Sequence, residues 1–387
     1  MMKRVVGCIV VTLCLTVSWL YVRPFDLAGR GLSRIFSAER AEAMLGNVYR
    51  DPAIHEMTNG EAPLAGLRAL GKRWGAVRMS KRVVLMGNSQ TYSIILAPDE
   101  DVPSQSPKTY VDLLATNIGA QGGWSLYSLS APNLSYPEAL WYVEYLSAVS
   151  ETHPTELVLQ LNYESFRKSG IRDGMLELLE EPRFASAIDE LASSSAPYAA
   201  VMAEAKRRYA ELKRERTGNG DRQRTPEDNY GQRVERNLRE WLSAQQGWEA
   251  KHLAKKDFLN LLYLSRVYLL RITPTTPRAL GGATYEINVA CLDSLAAECR
   301  ANRIVLKLFL APQNPHAQLW RTTADRAKYR GTARKIAERY ALTLVDLESV
   351  VPARDWGFWA DGPDPIHFGV RGHQVMAEAV LRSGLLF

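Results

Sequence analysis

The chain has 387 residues, 46% of them hydrophobic, with a net charge of +6 and an isoelectric point near 9.0. That length and apolar fraction exclude a chain too small to bury a sizeable core, and allow one large domain or two ordinary ones. A uniformly basic, nucleic-acid-coating surface is excluded too: Lys206–Lys256 holds fourteen Lys/Arg against eight Asp/Glu, so the remainder is neutral.

Lys3 and Arg4 precede Val5–Val22, eighteen residues without a charge, closed by Arg23 and Pro24. As a helix this stretch spans ~27 Å, enough to cross a hydrocarbon core. Trp19 and Tyr21 stand near one end, where aromatic rings favour the membrane interface. A cleavable signal peptide is the competing reading. No small-x-small cleavage site follows, which favours an uncleaved transmembrane anchor over residues 1–25. Either reading places the rest of the chain outside the cytoplasm, with the orientation resting on the very short N-terminal tail. Residues 26–80 read as a polar, helical, membrane-proximal connector. Within them "GLRALGKR" nearly spells a phosphate-binding loop, but Arg73 takes the Ser/Thr position and no strand precedes it.

From residue 81 strands and helices alternate. Strands are expected at Val83–Met86, Ser125–Leu129, Leu157–Leu161, Arg303–Leu310 and Thr343–Leu347, with helices such as "SYPEALWYVEYLSAVS" between them. That helix opens on a capping box, Ser135 with Glu138 three residues on. The alternation predicts an α/β domain over 81–387: a three-layer fold around a five-stranded, mostly parallel sheet. Residues 168–286 interrupt the rhythm as a large, charge-dense helical insertion. Its "DFLNLLYLSRVYLLRI", Asp257–Ile272, is apolar almost all round, suited either to burial or to docking on a bilayer or membrane partner. Cys291 and Cys299 lie eight apart on one expected helix, ~12 Å from each other, too far for a disulfide. No Cys/His cluster has metal-ligand spacing, and no cofactor is implied.

Two stretches carry chemistry. In "RVVLMGNSQTYS" a buried strand stops at Gly87-Asn88-Ser89, which is either turn punctuation or a nucleophile at the carboxyl end of a sheet. In "DGPDPIHFGVRGHQVMAEAV", Asp364 and His367 stand three apart on a Pro-containing, non-helical stretch. A histidine acting as general base needs a carboxylate on its far nitrogen, and one loop can supply both.

Together these stretches resemble the SGNH, or GDSL, hydrolases. "GNSQ" is similar to their first block and "DPIHFGVRGHQVMAE" to their last. The resemblance implies a flavodoxin-like fold with Ser89 as nucleophile, His367 as base and Asp364 as its orienter. It further implies an oxyanion hole from the Ser89 and Asn133 backbone N–H groups and the Asn162 amide. The chain departs from the family pattern in several places: Asn88 and Tyr163 stand where it has Asp, and Gln160 and Asn133 where it has Gly. His373 is expected to be structural, since the family uses the first histidine. The anchor, late D-x-x-H and helical insertion resemble the DltD-like membrane-anchored branch, whose members partner an MBOAT acyltransferase. That implies extracytoplasmic acyl transfer through an acyl-Ser89 intermediate onto a cell-envelope polymer or glycolipid. The basic segment would suit an anionic polymer, or form a solvated helical face. An anchored esterase using water, and a non-catalytic adaptor of a membrane acyltransferase, are the other readings.

Overall fold

The apolar run in Lys81–Gly87 is buried on both faces. Its alternate side chains go to opposite sides of a sheet, Val84 and Met86 into one core cluster, Val83 and Leu85 into another. The computed structural model describes residues 47–50, 63–76, 80–96, 108–119, 124–168, 170–194, 196–217, 279–316, 322–359 and 362–386.

Strands β2 (Lys81–Gly87), β4 (Trp124–Ser130), β5 (Glu156–Leu161), β6 (Val305–Leu310) and β7 (Thr343–Asp346) pair in the order β4-β2-β5-β6-β7, every pair parallel. All five expected strands are present. Counted along the chain these strands lie in the order 2-1-3-4-5, the flavodoxin-like arrangement, and the connections reverse direction between β2 and β5. The register Met86↔Leu129 and Met86↔Leu159 brings the carboxyl ends of β4, β2 and β5 level with one another.

Helices α1 (Pro63–Ala76), α3 (Tyr136–Ala148), α4 (Pro182–Ser194), α5 (Ala196–Thr217), α6 (Gly282–Ala301) and α7 (Thr323–Tyr340) share one core cluster. Helices α2 (Tyr110–Gly119) and α8 (Val370–Arg382) contribute to the cluster on the other face, which completes three layers. Tyr136–Leu146 of α3 is buried on every side, and its N-terminus carries the expected Ser135/Glu138 capping box.

Three features differ from the expectations or extend them. The described part of residues 26–80 is built into the domain: Leu64, Leu67, Leu70 and Trp74 of α1 lie in the core, because four apolar residues at helical spacing make a packing stripe. The near phosphate-loop motif falls inside this helix, which agrees with its reading as chance. A second sheet, absent from the expectations, joins β1 (Asn47–Arg50), β3 (Ser93–Leu96), β9 (Gly362–Phe368) and β8 (Trp356–Trp359) in the order β1-β3-β9-β8. The Asp364/His367 stretch is therefore a strand, β9, although it carries two prolines. Cys291 and Cys299 are both free and buried on the continuous α6, as their spacing predicts. The Val5–Val22 anchor and the Asp257–Ile272 helix lie outside the described residues. Among the described residues no helix is long and apolar enough to cross a membrane.

Candidate active site

Three adjacent strands end together, and each hands its chain to a loop bearing a nominated residue: Ser89 after β2, Asn133 after β4 and Asn162 after β5. This is the reversal point of the strand order, where open α/β sheets leave a crevice outside the strand carboxyl ends.

Local hydrogen bonds shape the first loop. Asn88 is buried and its Oδ1 accepts from the Gln90 N–H at 3.0 Å, capping a single 3-10 turn over Ser89–Thr91. The Thr91 hydroxyl and N–H both donate to the Asn88 carbonyl. Gly87 is required just before it, since a Cβ there would collide with the Thr91 methyl and the Gln160 amide. Asn88 thus has a capping role that needs only an acceptor oxygen.

The turn leaves Ser89 partly exposed, with its Oγ 2.8 Å from Nε2 of His367. His367 Nδ1 lies 3.0 Å from Oδ2 of Asp364. Asp364 is 1% exposed and its second oxygen, Oδ1, accepts from the backbone N–H groups of Ile366 at 2.6 Å and His367 at 2.8 Å. Burial works to raise the Asp364 carboxyl, but the His367 charge, its ring bond and those two N–H groups outweigh it and hold the group below the usual carboxylate range. An ionised Asp364 accepts the Nδ1 proton, so Nε2 presents its lone pair to the Ser89 hydroxyl. Ser89, His367 and Asp364 thus form one hydrogen-bonded chain.

Asn162 is buried at the end of β5, where its Oδ1 accepts from the Glu164 N–H at 2.8 Å and caps the following 3-10 turn. That bond fixes the amide plane and leaves its Nδ2 donors unused by the cap. Asn133 lies in an exposed turn closed by Leu134 N–H to the Ala131 carbonyl at 3.1 Å, and its φ of +49° is left-handed. Asparagine tolerates that region better than most residues.

His373 belongs to the frame. Its Nδ1 accepts from the Tyr110 N–H at 3.0 Å, which puts the proton on Nε2 to donate to the Ser93 carbonyl at 3.1 Å. Gly372 beside it lets α8 approach the Asp355 carbonyl, where any Cβ would clash. Full burial, aided by the nearby His367 charge against the Ser93 bond, pushes His373 down to about 3. A folded value below the unfolded one means that this stability is present above about pH 6.5 and lost as pH falls toward 3. The expected loss is about 1.4 kcal/mol per pH unit below 6.5. Urea unfolding at pH 7 and 4.5 measures it, and His373→Gln should remove that part of the slope.

Composition and motif left three buried amides unassigned. Gln160 Oε1 accepts from the Asn88 N–H at 3.2 Å, and its Nε2 donates to Gln90 Oε1 at 2.9 Å. Gln90 Nε2 in turn donates to the Ile366 carbonyl at 2.7 Å and to that of Pro312 at 3.1 Å. Asn314 Nδ2 donates to the Asp364 carbonyl at 2.6 Å. These bonds tie the Ser89 turn, the end of β5 and the strand bearing His367 into one network. The signal available in the sequence was a glutamine interrupting the apolar run of "ELVLQL".

Among the described residues no group of three or more His, Cys, Asp or Glu side chains could hold a metal ion. No protein-family model matches the chain, and no curated protein matches it. Solved structures resemble it at low identity. One is LAE5, an alpha/beta hydrolase from the metagenome of Lake Arreo, Spain, with a TM-score of 0.38 at 13% identity, covering 80% of this chain and 98% of that one. The acetylxylan esterase Axe2 of Geobacillus stearothermophilus has a TM-score of 0.38 at 11% identity, covering 80% and 95%. A lipase/acylhydrolase of Enterococcus faecalis has a TM-score of 0.35 at 13% identity, covering 79% and 95%.

Proposed function

We propose that the protein is a serine esterase or acyltransferase of the SGNH type, working through an acyl-Ser89 intermediate. The observation that carries this reading is the unbroken chain from Ser89 Oγ to His367 Nε2 at 2.8 Å and from His367 Nδ1 to Asp364 at 3.0 Å. Nε2 takes the Ser89 proton as Oγ bonds to an ester or thioester carbonyl carbon, and the carbonyl electron pair moves onto oxygen. The Ser89 and Asn133 N–H groups and the Asn162 amide are the donors to that oxyanion, each worth on the order of 3 kcal/mol. Collapse expels the leaving group, which takes the proton from Nε2. A second hydroxyl then attacks the acyl-serine, passes its proton to Nε2, and Ser89 is regenerated.

The finer reading is extracytoplasmic transfer to a cell-envelope polymer or glycolipid beside an MBOAT-type membrane acyltransferase. The charge-free Val5–Val22 stretch behind two basic residues and the net +6 of Lys206–Lys256 support it. With water as acceptor, the same site is an anchored esterase.

Labelling with a fluorophosphonate tests the core of the reading. Wild-type protein should gain one phosphonyl adduct, mapped by peptide mass to Ser89, and Ser89→Ala should gain none. Folded wild type that stays unlabelled would sink the enzymatic reading and leave the adaptor role. Co-purification with an integral membrane acyltransferase from detergent tests the partner.

A further inference from the structure

The Asn133 turn is held by a residue outside it. Ala131–Leu134 is closed by one backbone bond, with Pro132 and Asn133 at its centre and Asn133 at φ +49°. Proline at the first central position suits both common turn types. They differ by a flip of the peptide between the two central residues, which takes the second residue from negative to positive φ. Asparagine tolerates the left-handed region better than most residues but less well than glycine, so the turn on its own leaves the flipped Pro132–Asn133 peptide open to it. That flip would reverse the Asn133 N–H.

Arg172 opposes it. One terminal nitrogen of its guanidinium donates to the Pro132 carbonyl at 3.1 Å, the other end of this same peptide plane. The guanidinium is itself clamped: Nε and the same terminal nitrogen donate to the two oxygens of buried Glu138, each at 2.7 Å. Glu138 is locked in turn by the capping box, since its Oε2 accepts from the Ser135 N–H at 2.9 Å. The Arg172 N–H donates to Glu138 at 3.1 Å and Ser135 Oγ to the Gly170 carbonyl at 3.2 Å, which fixes the backbone that carries the arginine. The peptide is trans, so its N–H points opposite to the carbonyl that Arg172 holds.

We propose that Arg172 is a positioning residue for the oxyanion hole, holding the Pro132–Asn133 peptide in one orientation and so fixing the direction in which the Asn133 N–H donates. The start of the 168–286 segment is thereby part of the catalytic design. This rests on the acyl-Ser89 reading above.

The test is the second-order rate of Ser89 phosphonylation in the full chain, since the phosphoryl oxygen develops charge in the same hole. Arg172→Met should react about 10- to 100-fold more slowly, within the loss expected when one oxyanion donor is misplaced. The pH at half-maximal rate should not move, because His367 and Asp364 are untouched. Adding Asn133→Gly to Arg172→Met should recover most of the loss, because glycine removes the strain that drives the flip. A purely structural arginine would show no such recovery. Should Arg172→Met unfold by near-ultraviolet dichroism, Arg172→Lys carries the test. It keeps the charge without the planar fork, and an intermediate loss is expected. Arg172 variants that react within twofold of wild type, or a double variant with no recovery, overturn the proposal alone. A wild type that is not labelled at Ser89 overturns the underlying reading and this inference with it.

Discussion

His367→Ala is expected to lower turnover of an activated ester, and phosphonylation of Ser89, by about 10⁴- to 10⁶-fold. The Ser89 hydroxyl reaches no other base in the described hydrogen bonds; its Oγ meets Nε2 at 2.8 Å and that nitrogen alone can take its proton. An unassisted serine hydroxyl is a weak nucleophile at neutral pH, so losing the base removes both the attack and the protonation of the leaving group. Stability should change little by comparison, since the His367 side chain is 18% exposed and, among the described residues, its ring bonds to Ser89 and Asp364 alone. A stopped assay with p-nitrophenyl acetate, alongside thermal unfolding, separates the two effects. Activity within tenfold of wild type would mean that another group is the base.

Asp364→Asn should cost about 10⁴-fold, by reversing the tautomer of the histidine rather than by displacing it. The reason lies in the second oxygen. Oδ1 accepts two backbone N–H bonds, from Ile366 and His367, and an amide nitrogen in that position would face two donors. The asparagine must therefore keep its oxygen there and turn its NH₂ toward His367 Nδ1. Nδ1 then becomes the acceptor and Nε2 carries the proton, so it can donate to Ser89 but cannot take a proton from it. The expected signature is a collapse of kcat with KM nearly unchanged. Asp364→Ala should leave the two N–H groups without their carboxylate and destabilise the strand as well. Equal activity of Asp364→Asn and wild type would show that the carboxylate has no part in the reaction.

Parts of this arrangement were legible in the sequence because their causes are local. Strands β2 and β5, at the middle of the sheet, are largely apolar runs buried on both faces, and such runs read the same in any context. The Ser135/Glu138 capping box, and the placement of Cys291 and Cys299 on one helix, follow from spacing alone. Asp364 and His367 are three residues apart, and Asp364 organises its own stretch of β9 through the N–H groups at 366 and 367. Other parts were hidden because their causes lie far along the chain. The second sheet joins residues near 47, 94, 358 and 366, in short strands, two of them interrupted by Gly or Pro, too short to show a period of their own. The core role of α1 was masked by exposed Arg68, Lys72 and Arg73, which left Leu64, Leu67, Leu70 and Trp74 to mark the buried face.

By itself, then, the sequence determined the five strands of the parallel sheet, the turn that ends the first of them at Ser89, and the carboxylate–imidazole pair. These depend on periodicity and on hydrogen bonds spanning two or three residues. Only the tertiary structure decided that Ser89 meets a base 278 residues away, that Gln160 and Gln90 brace the turn, and that Arg172 reaches the Pro132 carbonyl. Those contacts arise where parallel pairing brings loop ends level at the reversal of strand order, and burial then requires each polar group there to find a partner.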